Sequence, residues 1–231
     1  MERTMYDNLL QLPLFQGLSK DDLTTIIEKV KFHFVTYREE QAIALQGDSC
    51  QQLTFVLGGE IMACTTNETH GYTLSETIGA PYIIEPHSLF GMRPHFSATY
   101  RAKADAQILS IDKAYIFGEL DKYKIFHLNF FNLLSNRNQV LQQRIWDGHI
   151  NGSVENKFIN FVQCRCQRPY GEKTLKITME ELATLIDETR INVSRVLNEW
   201  QKQGLLQLKR KEIYIPALEC LAEQYNKNNQ E

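Results

Sequence analysis

The sequence predicts an α+β fold in three parts: a mainly β segment, one long helix, and a helical segment closed by a short β-hairpin. Three observations carry this reading. Between residues 32 and 112, short apolar or β-branched runs alternate with glycine turns, the spacing of a small antiparallel barrel or sandwich. Residues 119 to 147 contain neither glycine nor proline, as a long uninterrupted helix requires. After Gly152 the pattern turns helical again and ends in two short β runs.

The elements follow in order. Residues 20–31 read as a short amphipathic helix, with Leu23, Ile26, Ile27 and Val30 at helical spacing behind Ser19, an N-cap followed by acids in the first turn. The β runs Phe32 to Tyr37, Leu53 to Leu57, Tyr82 to Ile84 and Ile108 to Ile111 alternate with turns such as Gly47-Asp48 and Gly58-Gly59. The helix from 119 carries Ile125, Leu128, Phe131, Leu134, Leu141 and Ile145. At 1.5 Å per residue, about 27 residues span roughly 40 Å. A small barrel cannot cover that length, so part of the apolar seam is expected to meet a second copy of itself. The polar run Ser135 to Gln139 interrupts the seam, where a buried Asn could fix register or face an effector, or the residues could be a solvated face. Gly148 and Gly152 flank an expected hinge.

Next come a helix over 153–167, the breaker Arg168-Pro169-Tyr170-Gly171, a strand around Thr174 to Ile177, and helices over about 179–186 and 190–203. Two β runs, Leu205 to Leu208 and Ile213 to Ile215, enclose Lys209-Arg210-Lys211-Glu212. Helix, turn, helix and hairpin in this order make a winged helix-turn-helix. The polar tail from Asn226 is expected to fray.

Composition bounds the classes. The 231 residues suit one large or two modest domains. With 43% hydrophobic and 23% charged residues, the chain is of ordinary globular composition, which argues against disordered, collagen-like and disulfide-scaffold classes. No apolar run approaches the roughly 18 residues a membrane span needs, and Met1-Glu2-Arg3-Thr4 lacks the charged-then-apolar layout of a signal peptide. A cytoplasmic protein is expected. The five cysteines Cys50, Cys64, Cys164, Cys166 and Cys220 suit reduced thiols better than a disulfide framework.

The net charge is −3 and the isoelectric point about 6.1, so the whole chain lacks the basic balance of a nonspecific nucleic-acid binder. Charge is unevenly distributed, however. Residues 189 to 211 hold six cations (Arg190, Arg195, Lys202, Lys209, Arg210 and Lys211) against the single anion Glu199, enough to attract phosphate locally. In the helix from 190, Val193, Val196, Leu197 and Trp200 follow an i, i+3, i+4, i+7 pattern and should pack inward. The opposite stripe then holds Ile191, Arg195, Asn198 and Lys202, flanked by Arg190 and Asn192. Arg can bond guanine O6 and N7 together, and Asn can do so with adenine N6 and N7, so this face suits the major groove. Thr178 and Thr189 start their helices, where a hydroxyl and open backbone N–H groups can hold phosphates. Lys209, Arg210 and Lys211 on the wing would add phosphate contacts. An exposed Arg/Asn/Lys face on a lone helix is more often only solvated, but the wing and the lopsided charge favour binding.

At this point the chain resembles the CRP/FNR family of bacterial transcription regulators over nearly its whole length. Leu12-Pro13-Leu14-Phe15-Gln16-Gly17-Leu18 is similar to the family's lead-in, and Gln46-Gly47-Asp48 with Phe55-Val56-Leu57-Gly58-Gly59-Glu60-Ile61 to its first barrel turns. Leu89-Phe90-Gly91 followed by Ser97-Ala98-Thr99-Tyr100-Arg101-Ala102 resembles its phosphate cassette, and Thr189-Arg190-Ile191-Asn192-Val193-Ser194-Arg195-Val196-Leu197 its recognition helix. The resemblance implies an N-terminal double-stranded β-helix (jelly-roll) barrel over 1–118 that senses an effector. It further implies a dimerisation helix over 119–148 and a C-terminal winged helix-turn-helix DNA-binding domain over 149–231. The implied partners are double-stranded DNA with an inverted-repeat operator, a second copy of the chain, a small-molecule effector and RNA polymerase, without a membrane.

The departures from the family pattern are informative. Cyclic-AMP-responsive members read the ribose with a Glu just after Phe-Gly and the phosphate with an Arg-Ser or Arg-Thr pair. Here those places hold Met92 and Phe96-Ser97, and the bidentate arginine contact is missing. Cyclic AMP in the usual mode is therefore not expected; Arg93 or Arg101 is the candidate substitute. The implied effector pocket comprises Gly91, Met92, Phe96, Ser97 and Asn138. The N-terminal cysteine cluster of oxygen-sensing members is absent, so no iron–sulfur framework is apparent. Cys164 and Cys166 lack the two-residue gap common in metal sites. The six histidines, His33, His70, His87, His95, His127 and His149, leave haem open as a cofactor, and no metal site is assigned. Many members carry Glu where this chain has Ile191. An exposed Ile offers only apolar contact, for instance to a thymine methyl, so T is expected over C at that base pair.

Three other readings stand beside it: a cyclic-nucleotide-type regulatory subunit acting on a protein partner, a ligand-independent regulator whose vestigial pocket is filled by side chains, and an enzyme. The last finds no paired metal ligands, nucleophile elbow or phosphate loop in the sequence.

Overall fold

The computed structural model describes residues 9–147 and 152–228. They fall into two compact units. The first comprises the residues up to Ile61 together with Ile78–Gln139, and the second Met62–Thr77 with the residues from Val140 onward.

In the first unit, helix α1 (Lys20–Lys29) begins where the sequence places it. Ser19 Oγ accepts from the Asp22 N–H at 3.1 Å, and the Asp22 carboxylate accepts from the Ser19 N–H at 3.3 Å. This reciprocal cap satisfies two otherwise orphaned donors, and Leu23 and Ile26 are buried below it. Strands β1 (Phe32–Tyr37), β2 (Ala42–Ala44) and β3 (Gln52–Gly58) follow. Strands β4 (Glu60–Asn67) and β5 (Tyr72–Gly79) form the next hairpin, most of which belongs to the second unit, and β6 (Tyr82–Ile84), β7 (Thr99–Ala102) and β8 (Ala106–Asp112) complete the β segment. One antiparallel sheet has the order β1-β8-β3-β6, with Phe34 and Phe55 both opposite Leu109, while β2 pairs with β7. This is the barrel-like antiparallel architecture the β runs predict. The Gly58-Gly59 turn is required sterically. Gly59 has φ +83°, and a Cβ there would lie 2.3 Å from the Asp105 carbonyl oxygen.

The helical reading from 119 is corrected at its start. Helix α2 (Lys113–Gly118) grows directly out of β8, and a 3₁₀ turn (Leu120–Lys122) is pinned by the buried Leu120. Tyr123 is extended, and the long helix α3 runs Lys124–Asp147, about 36 Å at 1.5 Å per residue. Phe126, Phe130 and Leu133 supply the face of α3 that packs on the core of the first unit. Phe15 links that core to the sheet, its ring 6.2 Å from Phe55 and 5.5 Å from Phe126. Ile125, Leu128 and Phe131 of the expected seam are exposed. The Ile145 side chain, Gly148 and His149 lie outside the described residues.

The second unit contains helix α4 (Val154–Gln163), strand β9 (Lys173–Lys176), helices α5 (Met179–Leu185) and α6 (Arg190–Lys202), strands β10 (Gln207–Lys209) and β11 (Glu212–Ile215), and helix α7 (Leu218–Asn228). Helix α4 ends four residues earlier than its sequence pattern suggests. Its C-cap is Cys164, whose N–H bonds the Asn160 carbonyl. Residues 226–228, expected to be a frayed tail, lie in α7. The sheet runs β10-β11-β9-β5 and continues into β4. Its core packs Phe158 against Trp200, ring centroids 5.7 Å apart, with Val162, Leu182, Val193, Leu197, Ile213 and Leu221 around them.

Candidate nucleic-acid interface

Both helices of the helix-turn-helix start on a threonine cap. Thr178 Oγ1 accepts from the Glu181 N–H at 3.2 Å, while Glu181 accepts from the Thr178 N–H at 3.0 Å and from its hydroxyl at 2.7 Å. These bonds, the side-chain one foremost, hold the Glu181 carboxyl below its ordinary pKa. Thr189 Oγ1 accepts from the Asn192 N–H at 3.2 Å, which leaves its hydroxyl proton to point elsewhere. The Thr178 hydroxyl proton is already committed to Glu181, so a phosphate at this helix start would have to meet backbone N–H groups or displace that contact.

The turn between α5 and α6 is clamped by α4. Lys157 Nζ donates to the Asp187 carbonyl at 3.0 Å and to Glu188 Oε1 at 2.7 Å. The hydrogen bond from Lys157 is the main cause of the lowered Glu188 pKa. Glu188 in turn accepts from Asn192 Nδ2 at 3.4 Å.

Helix α6 divides as its periodicity predicts. Val193, Val196, Leu197 and Trp200 are buried, and Ile191 is 81% exposed. Arg195, Asn198 and Lys202 are exposed on the same side, and Asn192 is half-buried. Arg190 is exposed and lies 3.4 Å from Glu180 on α5, an exposed pair worth little and easily exchanged for another anion. Asn198 Nδ2 donates to the Ser194 carbonyl at 2.7 Å, which commits one of its two amide protons within the helix. On the wing, Lys209 and Glu212 are register partners and Lys209 Nζ lies 3.2 Å from Glu212 Oε1. Lys211 takes the turn at φ +60°, and Lys209, Arg210 and Lys211 are all exposed. One cleft is lined together by Thr178, Met179, Glu180, Arg190, Lys209 and Lys211, so the helix starts and the wing face the same space.

Sequence reasoning missed the β4–β5 hairpin as part of this unit. Gly71, at its tip, lines a second cleft with Lys176, Thr178, Arg210 and Lys211, and Lys176 on β9 is a further exposed cation there.

The five residues expected around an effector lie apart in character. Gly91 and Asn138 are exposed, Met92 is 99% exposed, and Phe96 is half-buried against the core. Ser97 is exposed yet hydrogen-bonded to Glu85. It is Arg137, one residue before Asn138, whose charge reaches the interior. Desolvation foremost, and the Arg137 charge after it, hold the His87 imidazole down at about 4. Among the described residues no group of three or more His, Cys, Asp or Glu is placed to hold a metal ion, and no helix is long and apolar enough to cross a membrane.

A helix-turn-helix with a cationic wing, on a chain that also carries a β-barrel and a long helix, defines the fold of a DNA-binding transcriptional regulator. Residues 159–224 match the model of the Crp-like helix-turn-helix domain. Among solved structures, the chain is similar in fold to the c-di-GMP responsive global regulator CLP of Xanthomonas campestris. The TM-score is 0.50 at 16% identity, covering 86% of this chain and 99% of that one. It is also similar to the Thermus thermophilus catabolite activator protein (TM-score 0.49, 20% identity, 92% and 97% covered) and to DNR from Pseudomonas aeruginosa (0.47, 19%, 96% and 100%). No curated protein sequence matches the chain.

Proposed function

We propose that the protein is a homodimeric, sequence-specific DNA-binding regulator, not an enzyme, that acts in the cytoplasm on an inverted-repeat operator. The carrying observation is the outward face of α6, where Arg190, Ile191, Arg195, Asn198 and Lys202 share one side and the wing cations share a cleft with Arg190. In this reading Arg190, Ile191, Asn192, Arg195 and Asn198 read bases, while Thr178, Thr189, Lys202, Lys209, Arg210 and Lys211 hold the backbone. Residues 149–231 form the DNA-binding part, 119–148 the dimerisation helix and 1–118 the sensing part.

The exposed Ile125, Leu128 and Phe131 on α3 are the dimer seam. They are apolar, follow helical spacing, and lie on the side of α3 left over once Phe126, Phe130 and Leu133 meet the core. A small effector near Gly91, Met92, Phe96, Ser97 and Asn138 would bias two arrangements of the dimer by binding one more tightly. Activation would also require contact with RNA polymerase.

The test is selection of bound duplexes from random DNA, with and without small molecules from a cell extract. The reading expects an inverted repeat whose enrichment is lost on Arg190→Ala or Arg195→Ala. It also expects a log–log salt slope of about −0.9 per phosphate contacted. Absence of any enriched duplex under either condition would overturn it and favour a protein partner.

A further inference from the structure

Glu85 is fully buried, and the structure gives it five hydrogen bonds. One carboxylate oxygen accepts from Ser88 Oγ at 2.7 Å and from the Ser97 N–H at 2.8 Å. The other accepts from Ser97 Oγ at 2.7 Å, the Ala98 N–H at 3.1 Å and the Tyr100 hydroxyl at 2.9 Å. All five groups donate, so the arrangement is complementary to an anion. Two of the donors are successive backbone N–H groups, the kind of concavity that holds phosphates and carboxylates. Ala98 and Tyr100 are fully buried, but Ser97 is exposed, so the cradle opens to solvent on its Ser97 side. Glu85 reaches it at a cost: its backbone is left-handed, φ 35° and ψ 58°, which a non-glycine residue adopts only when the surroundings compensate.

We infer that Ser88, Ser97, Ala98 and Tyr100 form an anion-binding cradle that the chain fills with its own carboxylate. The internal anion orders the 85–100 segment, and an external phosphate or carboxylate finds the cradle occupied. This inference stands on the geometry of the first unit alone and does not rest on DNA binding. It adds to the proposed function that any effector of this barrel is recognised without an anionic group at Ser97 and Ala98.

Thermal unfolding of the full chain, at matched ionic strength, tests it with inorganic phosphate and acetate as probes. Glu85→Gly removes the carboxylate while suiting the left-handed backbone. It should lower Tm on the order of 10 °C, because buried donors lose their acceptor. Acetate or phosphate in the tens of millimolar should restore at least half of that in a saturable way. The wild type should not respond to either anion. Glu85→Gln, which still fills the cradle, should lose Tm without recovering it.

A Glu85→Gly variant insensitive to both anions, a wild type stabilised by phosphate, or equal recovery of the Gln variant would each overturn the inference. Should Glu85→Gly fail to fold, Ser97→Ala and Tyr100→Phe decide, since each keeps the carboxylate and drops a donor. Each should lower Tm by several degrees and the pair by a different amount from the sum of the two, whereas wild-type Tm in both would contradict the cradle.

Discussion

Glu76 on β5 and Lys173 on β9 form a buried ion pair, Oε2 to Nζ 3.1 Å, between residues opposite each other in the strand register. Glu76 also accepts from the Gln167 N–H at 2.5 Å and the Arg168 N–H at 3.1 Å, and Lys173 donates to the Tyr170 carbonyl at 2.7 Å. The pair fastens the β4–β5 hairpin to the sheet of the helix-turn-helix unit. Arg165 closes the same joint, its guanidinium 4.0 Å from the Phe161 ring centre and its Nε donating to the Tyr72 hydroxyl at 3.1 Å.

Removing one partner leaves the other charged and buried. Glu76→Ala and Lys173→Ala should each cost about 3–5 kcal/mol, read by urea unfolding. The double change to Glu76→Met with Lys173→Met should cost far less than the sum, because two apolar side chains need no counterion. Additive losses would show that the pair does not act as a unit.

The α5–α6 turn carries a strained residue. Asp187 is exposed and sits at φ 52°, a conformation that glycine adopts without penalty. Asp187→Gly should stabilise by about 0.5–1 kcal/mol, roughly 2 °C in Tm, with the Lys157 bond to the residue 187 carbonyl retained. A lower Tm would mean that the Asp side chain itself supports the turn.

Acid should weaken the capping of α5. The Glu181 carboxyl is held below 4.5 by its bonds from Thr178, so its contribution is complete above that ordinary value and is lost as pH falls through the lowered one. The Tm difference between wild type and Glu181→Gln should therefore be constant from neutral pH to about 5 and shrink below 4.5. A difference that is flat down to pH 3 would contradict the reciprocal cap.

Helix α3 exposes Leu128 at 59% and Phe131 at 55%. If these meet a second copy, sedimentation should give twice the 26.9 kDa chain mass. Leu128→Glu with Phe131→Glu should give the chain mass itself with unchanged helix content. A wild-type monomer, or a dimer unaffected by both glutamates, would remove this helix from the interface.

The parts of the molecule legible in the sequence are those set by local rules. Ser19, Thr178 and Thr189 cap their helices, and Val193, Val196, Leu197 and Trp200 turn inward, because caps and a 3.6-residue period are short-range signals. Strand β5 escaped because its buried face is Tyr72, Leu74, Glu76 and Ile78, and a glutamate at a core position breaks the alternation that marks a strand. The break at Leu120 to Tyr123 escaped because no glycine or proline marks it; the burial of Leu120 does. Glu85 escaped for a third reason. Its donors Ser97, Ala98 and Tyr100 lie 12 to 15 residues away, and no pattern in the chain announces a contact of that range. In the candidate interface, residue types and the face they share were legible, whereas the commitment of the Thr178 hydroxyl to Glu181 was visible only in three dimensions.

Base reading by the outward face of α6 is tested by a change of specificity at Ile191, which is 81% exposed there. Random-duplex selection with the wild type and with Ile191→Glu would be compared base by base, since a folding defect lowers all binding while only a base contact moves one position. One symmetric pair of positions should shift from T toward C, where a glutamate can accept from cytosine N4, with the rest of the inverted repeat unchanged. Identical base preferences for the two proteins would contradict base reading at Ile191.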